Sequence, residues 1–345
     1  MNLTRKLCAA ALAVVFTALP GCSALLDDDT WTYEEQGGLT YEESSVTHEE
    51  QGDTASDGQS GFTQELSTPE TEESAPEYGE WRPQGSVNTL EGKSVIVTIL
   101  LDTPDADFTE DEISYANGAI ERSCRYLEQQ GEKYGKSVTL YNYNEENSDL
   151  LFRISCDKPA TDAVDFSADT YTGFKDTVDS LIANEIPFDD IYKKYGTDSI
   201  GFMVMLDAPG VAYAQVYYPD GYYYGYNEWV SMFMHDIYGD RYENLACYAH
   251  EMLHLFGAID LYSAKVSDGF YDYMAEEVAN DPDYSMAIMY NTYNPDGSYD
   301  YYNIPQELSD ITLAMIGFTD GAEVFEKYPS LVRNYTAAFE NKAAY

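Results

Sequence analysis

The run His250-Glu251-Met252-Leu253-His254-Leu255-Phe256-Gly257-Ala258-Ile259-Asp260 constrains this chain more than any other stretch. Histidines four apart on a helix lie on nearly the same face, one turn apart, so both imidazoles can reach one ion. A glutamate directly after the first histidine can stand beside a fourth, open coordination position and take a proton from water there. Gly257 is suited to end the helix and turn the chain back. Asp260 then arrives three residues later as a third donor. The chain has four histidines, and His, Glu and His at these offsets would arise by chance in roughly one such chain in 200. Chance and two satisfied core histidines both explain the run less well than a metal site does.

Such a site needs a folded frame, and the pattern of residues 92–345 supplies one. Residues 94–101 (SVIVTILL) read as a strand buried on both faces. Thr109-Glu110-Asp111-Glu112 matches a capping box, with an amphipathic helix expected to about Tyr134. Residues 137–143, 150–155, 200–206 and 211–218 read as strands, and 171–183 as a helix. Pro219-Asp220-Gly221 turns the chain. Residues 222–226 and 229–234 lead to a metal helix over about 242–256, and a last helix is expected near 306–316. The fold class is therefore α/β (α+β): a twisted mixed sheet, an active-site helix and a smaller, loop-rich C-terminal part.

The N-terminal quarter reads differently. Arg5 and Lys6 precede an apolar run over 7–19 that is too short for a permanent span, ending in Leu19-Pro20-Gly21-Cys22-Ser23. This resembles a bacterial lipobox, which implies a signal peptide over 1–22 and a lipid anchor on Cys22. Cleavage after Ala24 would instead release a soluble secreted chain. Residues 23–91 are acidic and poor in large apolar groups, with eighteen acids and one base, Arg82, between Asp27 and Glu91. They contain a short repeat (Thr32-Tyr33-Glu34-Glu35, Thr40-Tyr41-Glu42-Glu43, Thr47-His48-Glu49-Glu50) and are expected to form a disordered tether. A pro-segment is the alternative. His48 belongs to the repeat and is a poor ligand.

With a net charge of −44, nucleic acid and anionic lipid headgroups are excluded as direct electrostatic partners. The 33 tyrosines fit half-buried strands and loops or a recognition surface. In an oxidising compartment Cys124 and Cys156 could pair, and Cys247, one turn before His250, reads as a buried small residue. His235 follows the 229–234 strand and is expected to bond a nearby acid, with lining the cleft as the alternative. Asp296-Gly297-Ser298-Tyr299-Asp300 reads as a plain turn, with a calcium loop as the alternative.

His250-Glu251-x-x-His254-x-x-Gly257-x-x-Asp260 resembles the elongated zinc motif of the metzincin metallopeptidases, and more closely the snapalysin-type bacterial members whose third ligand is aspartate. Ser285-Met286-Ala287-Ile288-Met289-Tyr290 is similar to the family's methionine turn, with Met289 as the turn methionine. Leu308-Ser309-Asp310-Ile311-Thr312-Leu313 is similar to the start of its closing helix. The likeness covers residues 92–318. It implies a catalytic Zn²⁺ on His250, His254 and Asp260, with Glu251 as general base. It further implies hydrolysis of peptide bonds in extracellular proteins or peptides, and a monomer. The substrate is expected to bind extended along residues 211–218. Family members with a switching tyrosine carry it two residues after the methionine, whereas here Tyr290 follows Met289 directly and Tyr293 comes four on. Either is a candidate to stabilise the oxyanion. Glu277-Val-Ala-Asn-Asp281 resembles the gluzincin pattern and makes Glu277 the rival third ligand. A non-enzymatic, adhesin-like surface lipoprotein with a structural zinc is the other reading.

Overall fold

A computed structural model describes residues 86–328 except 88, 166–167, 217–226 and 263–280. The signal peptide, Cys22, nearly all of the tether, the turn at Pro219 and Glu277 lie outside the described residues.

The described chain is a mixed α/β fold around one six-stranded sheet. Its strands are β1 (Gly92–Asp102), β2 (Val138–Tyr141), β3 (Leu151–Ser155), β4 (Ile200–Pro209), β5 (Tyr213–Gln215) and β6 (Trp229–His235). The order is β2-β1-β4-β6-β5, with β3 also paired to β1. All pairs are parallel except β5, which runs antiparallel to β6 at the edge. The helices are α1 (Glu110–Lys133), α2 (Ala168–Glu185), α3 (Phe188–Tyr195), α4 (Leu245–Leu255), α5 (Asp310–Met315) and α6 (Ala322–Lys327).

Alternation along the central strands explains the layering. In β1, Ile96 and Leu100 join the core that holds Ala116, Ile120 and Leu127 of α1 and Met252 and Leu253 of α4. Val95, Val97, Ile99 and Leu101 join the opposite core with Phe174, Val178 and Ile182 of α2 and Ile191 of α3. Both faces of β1 and β4 are thus covered, which is why their sequences read as continuous apolar runs.

The capping box at Thr109 forms as expected. Glu112 N–H donates to the Thr109 hydroxyl at 3.3 Å, and Thr109 N–H to the Glu112 carboxylate at 2.7 Å. The strand expected over 211–218 is three residues long where described, and it is the sheet edge. The helix expected over about 242–256 starts three residues later, at Leu245. Tyr242 pairs with His235, and Glu243 N–H donates to Met234, so both extend the sheet. Asn244 then caps α4 by accepting the Cys247 N–H at 3.0 Å. The helix expected near 306–316 is also shorter, starting at Asp310 behind the Ser309 cap, and it is not the last, since α6 follows it.

The Cys124–Cys156 bridge is ruled out. Cys124 is on the buried face of α1 in the first core, 3.8 Å from Met252 Sδ, while Cys156 lies in the core across the sheet. A disulfide needs Cα atoms within about 7 Å, and a sheet stands between them. Cys247 is buried, as expected. Asp296 accepts the Ser298 N–H and hydroxyl, so the expected turn forms there. Among the described residues no helix is long and apolar enough to cross a membrane.

Candidate metal centre

α4 packs its whole length into the core, so the imidazoles it carries are held by packing before any ion is considered. His250 Nδ1 faces the Ile288 carbonyl at 2.9 Å, and His254 Nδ1 faces the Ala258 carbonyl at 2.9 Å. A carbonyl can only accept, so both Nδ1 atoms carry the proton and donate. Nε2 of each ring is then the nitrogen that faces Asp260, the arrangement of a metal-binding imidazole.

The rest of the centre depends on how the chain leaves the helix. Gly257 has φ +93°, a left-handed conformation that glycine adopts without strain. From that turn the chain brings Asp260 Oδ1 to 3.1 Å from His250 Nε2 and 3.2 Å from His254 Nε2. Donors on one tetrahedral zinc lie about 3.3 Å apart, given ligand bonds of roughly 2.0–2.1 Å. Among these atoms, His250 Nε2 and Asp260 Oδ1 are buried with no hydrogen-bond partner among the described residues, and Glu251 Oε2 is in the same state. Three acceptors this close repel one another unless a positive charge lies between them. The donor set therefore fits a divalent cation.

In the metal-free chain a proton can take that place. Burial pulls the His254 pKa down, but the Asp260 carboxylate outweighs it and raises the group from 6.5 to about 9. Burial opposes the Asp260 charge too, yet the two histidines hold its carboxyl well below the ordinary range. Because the folded His254 pKa is raised, its contribution to metal-free stability is complete below about pH 6.5 and fades as pH rises through about 9. A divalent cation would compete with this proton. Uptake at pH 7 should release close to one proton, and affinity should rise nearly tenfold per pH unit between 7 and 9. Calorimetry in buffers of different ionisation enthalpy counts that proton; release of none would contradict a protonated His254 in the metal-free chain.

Glu251 is buried at 1 % exposure, with Oε1 3.9 Å from His250 Nε2. Burial raises its pKa, and Asp260 adds to this against the pull of the two histidines. A carboxylate made more basic in this way is a better proton acceptor. The Asp260 side chain is 22 % exposed while those of His250 and Glu251 are at 1 % and 2 %, so the centre opens to solvent on the aspartate side.

The methionine segment runs directly against the donors. Besides the Ile288 carbonyl on His250, the Met289 carbonyl accepts the Leu261 N–H at 2.8 Å, one residue past Asp260. Met289 is fully buried. Ile288 N–H donates to Glu307 and Glu307 N–H to Met286, tying the segment to the approach to α5. Tyr290 packs against the core, and Tyr293 stacks on Tyr299 at 5.1 Å. Tyr262, which no sequence motif marks, stacks its ring on His250 at 6.1 Å and 17°. Its only local signal is its position two residues after Asp260.

Replacing Gly257 by alanine should cost about 1–2 kcal/mol for the left-handed backbone. It should also weaken zinc binding by moving Asp260. Urea unfolding with and without chelator measures both effects, and an unchanged midpoint would show that the turn does not need glycine. No protein-family model matches the chain, and comparison with curated proteins finds no match.

Proposed function

We propose that the chain is a zinc endopeptidase of the metzincin kind, held outside a bacterial cell by a lipid on Cys22 with residues 23–91 as its tether. One observation carries the reading: His250 Nε2, His254 Nε2 and Asp260 Oδ1 converge, with the aspartate oxygen within 3.2 Å of both nitrogens, beside the buried and unpartnered Glu251 Oε2. Among the described residues only these three side chains form the cluster around Asp260. A structural zinc normally takes four protein donors and has no need of a neighbouring carboxylate. A catalytic zinc takes three and leaves a position open.

A zinc ion held by His250, His254 and Asp260 would supply Lewis acidity toward a scissile carbonyl and a water. Glu251 accepts a proton from that water as its oxygen attacks the carbonyl carbon. The same carboxyl then donates the proton to the amide nitrogen, and the C–N bond breaks to leave a neutral amine. The Ile288 and Ala258 carbonyls keep both imidazoles aimed during these steps. Tyr262, Tyr290 and Tyr293 are the tyrosines to test for stabilising the oxyanion. β5 offers the peptide a strand to pair with, at the edge of the sheet. Asp260 fills the third position in this scheme, with Glu277 as its rival.

Casein digestion by the zinc-loaded protein tests the reading. Digestion should stop on adding a chelator and return with zinc. A chain that holds zinc and cleaves no protein or peptide would favour the binding-lipoprotein alternative.

A further inference from the structure

A second group of metal-ligating side chains lies apart from the first, made of Glu112, Asp207 and His235. They are far apart in sequence and come from the first turn of α1 and the carboxyl ends of β4 and β6. The carboxyl ends of parallel strands are where open α/β sheets collect their ligands.

The group is built in several ways at once. The pairing of β4 with β6 shifts register between Leu206 and Pro209, and such a bulge re-aims the side chain it contains, here Asp207. One Glu112 oxygen is pinned by the Thr109 N–H at 2.7 Å and hydroxyl at 2.6 Å, which fixes the direction of the other. The His235 ring is clamped by Tyr242, stacked on it at 5.1 Å and 27°. Tyr242 stacks in turn on Tyr115 at 4.6 Å. Outer partners that lock a ligand's orientation are a regular feature of metal sites.

His235 lies within ion-pair range of both acids, and the same distances fit donors that share one cation. His235 Nε2 stands 3.5 Å from Glu112 Oε1 and 3.5 Å from Asp207 Oδ1. A charge-assisted N–H···O bond closes to about 2.7–2.9 Å, and the single Nε2 proton cannot point at both oxygens. Separations of this size suit donors that share one cation, where the ligand-to-ligand edge is about 3.3 Å in tetrahedral geometry. Two carboxylates and a neutral imidazole also balance a divalent charge. The side chains are 13–25 % exposed, so water can complete the coordination.

We infer that Glu112, Asp207 and His235 form a second site for a divalent cation of the zinc or manganese class, which ties the start of α1 to the ends of β4 and β6. Imidazole with two carboxylates suits these ions, whereas calcium prefers an all-oxygen shell. The site steadies the His235–Tyr242 pairing, and from Tyr242 the chain runs through Asn244 into α4. It is independent of the peptidase reading.

Zinc content after dialysis of the full chain against excess Zn²⁺ and removal of the free ion tests it. Wild type should hold two zinc per chain. His235→Gln and Asp207→Asn should each hold one, and the second of these covers the case in which the first fails to fold. The double variant His254→Ala/Asp260→Ala should also hold one, so loss of either site is read separately. Equal zinc in wild type, His235→Gln and Asp207→Asn would overturn the inference and leave the cluster as an ordinary ion pair.

Discussion

Replacing Glu251 by glutamine is expected to lower peptide cleavage by about 10²–10⁴-fold while leaving zinc content at the wild-type value. The residue stands next to the donors without being one: its Oε1 is 3.9 Å from His250 Nε2, and its Oε2 has no hydrogen-bond partner among the described residues. Glutamine keeps the size and burial of the side chain but cannot take a proton. An effect through folding would lower zinc content and thermal stability together, whereas loss of a base lowers kcat alone. Burial holds the Glu251 pKa above its ordinary 4.5. Cleavage unchanged by Glu251→Gln would remove the residue from the mechanism.

Asp260→Ala is expected to lose the zinc of the first centre, and Glu277→Ala is expected to keep it. The aspartate is the only carboxylate among the described residues whose oxygen meets both Nε2 atoms, at 3.1 and 3.2 Å. Its removal leaves two imidazoles and water, and a missing ligand costs a zinc site orders of magnitude in affinity. The same substitution lifts the charge that keeps His254 near pKa 9, so the proton released on zinc uptake at pH 7 should vanish with it. Loss of zinc in Glu277→Ala alone would transfer the third position to Glu277.

What the sequence made legible follows from how local each signal is. The two histidines and Glu251 are fixed by helical spacing, and α4 delivers them as that spacing requires. β1 and β4 announced themselves because burial on both faces leaves no polar alternation. Thr109 and Glu112 carried a complete cap within four residues. α3 escaped notice: its eight residues, FDDIYKKY, follow Pro187 and bury only Ile191 and Tyr195, too short a stripe to show a period. The early expected start of the metal helix had a similar cause. Tyr242 and Glu243 are acceptable in a helix, but the neighbouring strand claims their backbone. Sequence spacing also cannot reveal which face of a sheet a residue occupies, so Cys124 and Cys156 looked like partners when they belong to different cores. For the same reason Tyr262 and the Glu112–Asp207–His235 group were invisible as sites, since tertiary contacts alone bring them to their neighbours. His235 was expected to meet an acid, and it meets two.

Digestion of a peptide library by the full chain, read by mass spectrometry while zinc is titrated back after chelation, is the decisive test of a catalytic zinc at the first centre. New termini should appear in proportion to the zinc bound at the first centre, with none from Glu251→Gln at equal zinc. A library left intact by the zinc-loaded wild type, or cut equally by the chelated protein, would contradict a catalytic zinc on His250, His254 and Asp260.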